Sequence, residues 1–88
     1  MNTQFRGSFS KDLRKIRDKH LLRRVEGVIE VIEQARKLEE IPDIEKMEGW
    51  KRYYRVEVGD YRIGIAVDGD VVTFVRFLHR KDIYRYFP

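Results

Sequence analysis

Two glycine-bearing turns, Gly59-Asp60 and Asp68-Gly69-Asp70, divide the second half of this chain into three apolar runs, and that spacing leaves little choice of fold. The runs Trp50–Val58, Tyr61–Val67 and Val71–Leu78 are rich in aromatic and β-branched residues. Runs joined by so few residues pair antiparallel, as a three-stranded meander. Read as a two-residue loop, Gly59-Asp60 sets Val58 against Tyr61, Glu57 against Arg62, Val56 against Ile63, Arg55 against Gly64 and Tyr54 against Ile65. Tyr54, Val56, Val58, Tyr61, Ile63, Ile65 and Val67 then form a core face, with Tyr53, Arg55, Glu57, Arg62, Gly64 and Ala66 on the other. At the second turn a three-residue loop pairs Val67 with Val71, sends Thr73, Val75 and Phe77 to the core and sets Arg76 across from Arg62. A two-residue loop would bury Arg76, which is costly without a partner, so the three-residue loop is expected.

The first half has a different period. Thr3–Ser8 is a candidate strand, with Phe5 and Phe9 as apolar anchors. Ser10 suits a helix cap ahead of Leu13 and Ile16, and Arg17-Asp18-Lys19 breaks that short helix. From His20 to Leu38 the positions Leu21, Leu22, Val25, Val28, Ile29, Ile32 and Ala35 recur in steps of three and four, the stripe of a longer amphipathic helix. Arg23, Glu26, Glu30, Glu33 and Lys37 form its solvated face. Pro42 ends the helical region, and Ile41–Glu48 reads as a loop that plugs the core with Ile44 and Met47. The expected fold is therefore α+β: an N-terminal αα-hairpin packed on a small, mainly antiparallel β-sheet, closed by a short C-terminal helical turn with Ile83 and Phe87 as its contacts. All 88 residues are expected to form one domain, small enough that a partner could complete its stability.

The composition excludes several chemistries. The chain has no Cys, which rules out disulfides, thiol catalysis and thiolate-held zinc, and no metal or cofactor is expected. No run approaches the roughly 20 apolar residues that cross a bilayer, and Met1–Ser10 lacks the apolar stretch of a secretory leader, so a cytoplasmic protein with no membrane partner is expected. The net charge of +4 is uneven: residues 1–48 hold 11 basic and 10 acidic groups, residues 49–88 hold 8 and 5. That split points to a cationic sheet face and tail, suited to a polyanion.

On the open face the expected register gathers Arg55, Arg62 and Arg76 over the small Gly64 and Ala66, with Glu57 beside them. Facing like charges destabilise a sheet unless an anion neutralises them, and a phosphate or an acidic partner would do so. Directly after the third run, Leu78-His79-Arg80-Lys81-Asp82-Ile83-Tyr84-Arg85 supplies a proton exchanger, two cations and an aromatic hydroxyl. Those groups suit cleavage of RNA by its own 2′-hydroxyl, a route that needs neither a metal nor a protein nucleophile.

The segments Lys46-Met47-Glu48-Gly49, Tyr54-Arg55-Val56-Glu57-Val58-Gly59-Asp60-Tyr61-Arg62-Ile63 and Phe77-Leu78-His79-Arg80-Lys81-Asp82-Ile83-Tyr84 resemble the RelE/ParE superfamily of type II toxins, on the side of the RelE-like mRNA interferases. The resemblance implies a ribonuclease that cuts mRNA in the ribosomal A site. It places Arg55 where the family often has a catalytic lysine, Arg62 on the phosphate, Arg80 on the transition state, Tyr84 stacked on the substrate and His79 in acid–base chemistry. Glu57 stands where the ribosome-dependent prototype has a second lysine, as a candidate base or charge partner. Arg76, Lys81, Lys51, Arg52 and Arg85 are candidate RNA contacts. The resemblance also implies a cognate antitoxin, with operator DNA reached only through it. A gyrase inhibitor of the ParE type and an inactive antitoxin-binding module are the rival expectations.

Overall fold

Asp18, rather than Ser10, sets the course of the helical hairpin. Its carboxylate accepts hydrogen bonds from the backbone N–H groups of His20 (2.9 Å) and Leu21 (3.2 Å), satisfying amides that the first turn leaves free. The computed structural model describes all 88 residues, Met1 to Pro88. In chain order it contains β1 (Asn2–Phe5), α1 (Gly7–Arg14), α2 (Lys19–Gln34), a 3-10 turn (Leu38–Glu40), β2 (Ile44–Lys46), β3 (Tyr53–Val58), β4 (Tyr61–Asp68), β5 (Val71–His79) and α3 (Ile83–Tyr86). The fold is the expected α+β arrangement, but with five strands in the order β1-β5-β4-β3-β2.

Several bounds move. The first strand stops at Phe5 instead of Ser8, and α1 begins at Gly7, so Ser10 lies inside it. The long helix ends at Gln34, short of Leu38. The segment expected to be all loop contains β2, antiparallel to β3 with Ile44 across from Val56 and Glu45 across from Arg55. The first of the three apolar runs becomes strand only from Tyr53, not from Trp50.

The β3–β4 hairpin has the expected register throughout, from Val58↔Tyr61 to Tyr54↔Ile65. Gly59 opens its two-residue loop at φ +58°, a conformation that suits glycine at this position. The β4–β5 hairpin does not follow expectation. Its loop is also two residues, Gly69-Asp70, with Asp68 across from Val71 and Gly69 again at φ +58°. A bulge between Gly64 and Ile65 then shifts the register by one. Before the bulge Val72 and Phe74 enter the core; after it Phe77 does, so Thr73 and Val75 are not the core positions. The extra residue is what lets a short loop coexist with an unburied Arg76. It sets Arg76 across from Gly64 and Leu78 across from Arg62, so the two arginines are not paired.

Where β1 ends, α1 continues to satisfy the edge of β5. β1 runs parallel to β5 as far as Phe5↔Phe74. The Ser8 hydroxyl then donates to the Val75 carbonyl at the bulge (2.6 Å), and the Asp12 carboxylate accepts from the Phe77 N–H (2.9 Å). Ser8 and Asp12, four residues apart, share one helix face, so side chains replace a missing strand.

One face of the sheet packs against the helices. Phe9, Val25 and Ile32 meet Val56, Val58, Ile63, Ile65, Val72, Phe74 and Phe77 there. On the other face Met47, Ile83 and Phe87 form a small separate cluster with Tyr53, Val75 and Leu78 around it. Gly64 makes that cluster possible, because a Cβ at this position would stand 2.8 Å from the Phe87 ring. The buried Ile83 and Phe87 thus anchor the C-terminal turn, as the sequence suggests.

Candidate active site

Strand alternation places Arg55 and Glu57 of β3 on the face opposite Val56 and Val58, and the hairpin register sets Arg62 of β4 across from Glu57. Arg80 follows β5, and its backbone N–H donates to the Asp60 carbonyl (2.8 Å), holding the end of β5 to the β3–β4 turn. The anchored α3 brings Tyr84 over the same spot, with the Arg55 guanidinium carbon 5.2 Å from the centre of its ring. These side chains line a cleft of about 240 Å³ together with Asp43 and Glu45.

The cleft balances its charges. Arg55 Nη2 meets Glu45 Oε2 at 2.6 Å, and Arg62 Nη2 meets Glu57 Oε2 at 3.2 Å. Arg62 Nη1 also donates to the Gly59 and Tyr61 carbonyls, at 2.9 and 2.8 Å. The arginine side chains in these pairs are only 18% and 15% exposed but their carboxylate partners are 68% and 59% exposed, so water screens both pairs and an incoming anion can compete for them. Arg80 has no carboxylate within 4 Å and remains available to an incoming anion. Three arginines against three carboxylates leave the cleft formally neutral.

Arg55, Glu57, Arg62, Arg80 and Tyr84 are thus brought together, and the other candidates are not. Arg76 turns to the α1 edge, where Nε and Nη2 donate to Asp12 at 2.7 and 3.2 Å. That hydrogen bond raises the Arg76 pKa above its ordinary value, against the opposing effect of burial. The expected convergence of Arg55, Arg62 and Arg76 does not form: the bulge and Asp12 take Arg76 to the α1 edge, and it is Arg80 that lines the cleft with Arg55 and Arg62. His79 lies outside the cleft, since it shares the strand face of Phe77. Its ring stands edge-on to Tyr61 at 5.4 Å, its Nδ1 accepts from the Lys81 N–H, and it lines a separate hollow with Asp12, Lys15 and Ile16. That hollow is larger, about 400 Å³, but two of its charged groups, Asp12 and Arg76, are already paired to each other. Arg52 pairs with Asp68 (3.5 Å) beyond the cleft, Arg85 lies 6.0 Å over Tyr86, and Lys51 and Lys81 are exposed outside it. Asp43 and Glu45 were missed by sequence reasoning. The usable signal was the opposite charge of Glu45 and Arg55, which only the placement of β2 brings face to face.

A family model described as the ParE toxin of the type II toxin–antitoxin system parDE matches residues 4–84, a span that includes every residue of the cleft. Along its whole length the chain is 44% identical to Toxin RelE3 of Methanocaldococcus jannaschii, also over that protein's full length. The chain belongs to the RelE/ParE superfamily of toxins. The crystal structure of a RelB–RelE antitoxin–toxin complex from Methanococcus jannaschii contains a chain that matches this toxin with a TM-score of 0.81 at 44% identity, covering 97% of this chain and 99% of that one. YafQ from E. coli shares the toxin fold with a TM-score of 0.75 at 17% identity, over 94% and 97% of the two chains.

Proposed function

We propose that this toxin is an endoribonuclease that cleaves mRNA on the ribosome by attack of the RNA 2′-hydroxyl on the neighbouring phosphate. The observation that carries the reading is the convergence of Arg55, Arg62, Arg80 and Tyr84 around Glu57 in one cleft. A phosphate entering beside Arg80 competes with Glu57 for Arg62. As Arg62 turns to the phosphate, the Glu57 carboxylate is released to take the 2′-hydroxyl proton. The O2′–P bond forms and the P–O5′ bond breaks. The 5′ oxygen takes its proton from the Tyr84 hydroxyl, leaving a 2′,3′-cyclic phosphate and a 5′-hydroxyl end. Three guanidinium groups hold the charge that builds on the phosphorane, and Tyr84 stacks on a base. His79, outside the cleft, has no step in this scheme.

The partner of this reading is a cognate antitoxin. Toxins of this fold occur with antitoxins in the RelB–RelE structure and in the DinJ–YafQ complex of E. coli. Action on ribosomes places the toxin in the cytoplasm, and no helix is long and apolar enough to cross a membrane.

The test is mapping of mRNA ends after adding purified toxin to translating ribosomes. Cleavage with 5′-hydroxyl ends is expected, and Arg80→Ala should lower the rate by about 10²-fold, the usual effect of removing a group that stabilises transition-state charge. A second reading, inhibition of DNA gyrase, is favoured by the neutral cleft, in which two of the three arginines already have carboxylate partners. Intact messages together with trapped gyrase–DNA breaks would establish that reading instead.

A further inference from the structure

The modest net charge conceals a steep partition. Residues 1–24 hold eight Lys and Arg against two Asp, whereas residues 25–88 hold eleven against thirteen acids. Both of the early acids are occupied: Asp12 is buried against Arg76, and Asp18 caps α2. The eight cations are all exposed, and none has a carboxylate within 4 Å. Lys11, Arg14, Lys15, Arg17, Lys19 and Arg23 ring the tip of the helical hairpin, around the short link between α1 and α2.

This tip stands beside the cleft. Lys15 and Ile16 share a hollow with Tyr61 and His79, each next in sequence to a cleft arginine. Arg24 lies against the β3–β4 turn, its Nη1 3.0 Å from where a Gly59 Cβ would sit, and Arg62 hydrogen-bonds the carbonyl of that same Gly59. The two regions differ in what they can do to a distant polyanion. The neutral cleft exerts little net pull, while the tip presents dense, unpaired positive charge that acts over a Debye length of about 8–10 Å.

The chemistry of the tip selects its partner. Between Arg6 and Arg24 the sole Phe, Tyr or Trp is the buried Phe9, and His20 is the one exposed ring, so the tip lacks the row of aromatic platforms on which successive single-stranded bases stack. Leu13, Ile16 and Leu21 pack against the core, leaving only the part-exposed Leu22 as apolar surface, too little for the apolar centre that protein interfaces use. What remains fits closely spaced phosphates on a double-stranded backbone. We infer that the tip of the α1–α2 hairpin is a docking surface for the phosphate backbone of double-helical RNA, bound through charge without reading bases. The docking stands on its own; that it delivers the cleft to a message rests on the nuclease reading.

The full-length toxin, titrated by fluorescence anisotropy against a blunt RNA duplex of about 20 base pairs over a salt series, tests this directly. The triple variant Arg14→Gln/Arg17→Gln/Arg23→Gln should flatten the slope of log K against log salt by roughly 2 to 3. Arg36→Gln/Lys37→Gln/Lys46→Gln, which removes the same charge elsewhere, should change it by less than about 1. Lysine at the three tip positions should restore binding, because attraction to phosphate needs charge rather than a guanidinium fork, and that restoration guards against a folding defect in the glutamine variant. Duplex binding by the wild-type toxin together with intact messages on translating ribosomes would sink the nuclease reading and leave the docking surface standing. Equal losses in the two triple variants would overturn the docking surface, as would tighter binding of oligouridine than of duplex. Displacement of the duplex by polyglutamate at lower charge concentration would point to an acidic protein instead.

Discussion

The two faces of the sheet are built from the same strands to opposite ends. The helix-covered face buries Ile32, Ile63, Ile65, Val72 and Phe74 completely, in one continuous core. The other face rests on three buried residues, Met47, Ile83 and Phe87, and devotes the rest of its area to ion pairs and the exposed Tyr84. Burial that scales with apolar area must place most of the stability on the first face. The second face then holds a light, local fastening whose main effect is to locate one aromatic side chain. Stability and the proposed chemistry are separated by the thickness of a sheet.

That separation can be broken by mutation, and the largest effect is expected on the covered face. Ile65→Ala should cost about 2–5 kcal/mol in urea unfolding, a large part of the stability of a chain this short. A loss below about 1 kcal/mol would mean that the helices contribute far less than the burial implies. Next comes the edge where α1 meets β5. Asp12→Asn keeps an acceptor for the Phe77 N–H but removes the charge opposite Arg76, and should cost about 1.5–3 kcal/mol. The Arg76 pKa is raised in the folded state, so this contribution is complete below the ordinary arginine range and fades only as pH climbs beyond it. The gap between wild type and variant, measured by denaturation, should therefore stay level from about pH 7 to pH 10.

The open face gives smaller stability effects with larger functional ones. Phe87→Ala should lower global stability by about 1–2 kcal/mol, below the usual Phe→Ala loss, because the tail can leave the sheet without unfolding it. RNA cleavage should nonetheless drop as far as it does in Tyr84→Ala. Gly64→Ala should have the same effect from the other side, since its Cβ would meet the Phe87 ring at 2.8 Å, and Phe87→Leu should partly rescue it. If Phe87→Ala destabilises the protein as much as Ile65→Ala, the two faces form one cooperative unit and the comparison fails. The smallest effect belongs to Arg52→Ala. Its pair with Asp68 is long and open to solvent, and a change within about 0.5 kcal/mol is expected.

The sequence made the β3–β4 hairpin legible residue by residue, because a two-residue glycine turn and strict alternation are local facts. Arg55, Glu57 and Arg62 could be assigned a common face for the same reason. The β4–β5 register could not be read this way. Its bulge is stabilised by Ser8 and Asp12, more than sixty positions away in the chain, and no local pattern near Val75 announces them. β2 is only three residues long, too short for periodicity to detect, and with it went Asp43 and Glu45. His79 was expected in the site from its neighbours in sequence, but alternation past the bulge turned it toward Tyr61. The charge partition is present in the sequence, but its boundary lies at residue 24, inside α2, so the helical half as a whole averages a strongly basic hairpin tip with the acidic stretch that follows it.

The pairing of β1 with β5 bears on when the toxin becomes dangerous to the cell that makes it. β5 lies inside the sheet between β1 and β4, and both Arg80 and Tyr84 follow it in the chain. A nascent polypeptide therefore cannot assemble the cleft until residues 71–87 have left the machine that synthesised them. Up to that moment the growing chain has its hairpin helices and its glycine turns but lacks Arg80 and Tyr84. Under the nuclease reading, the cleft is therefore incomplete until Arg80 and Tyr84 have joined the sheet.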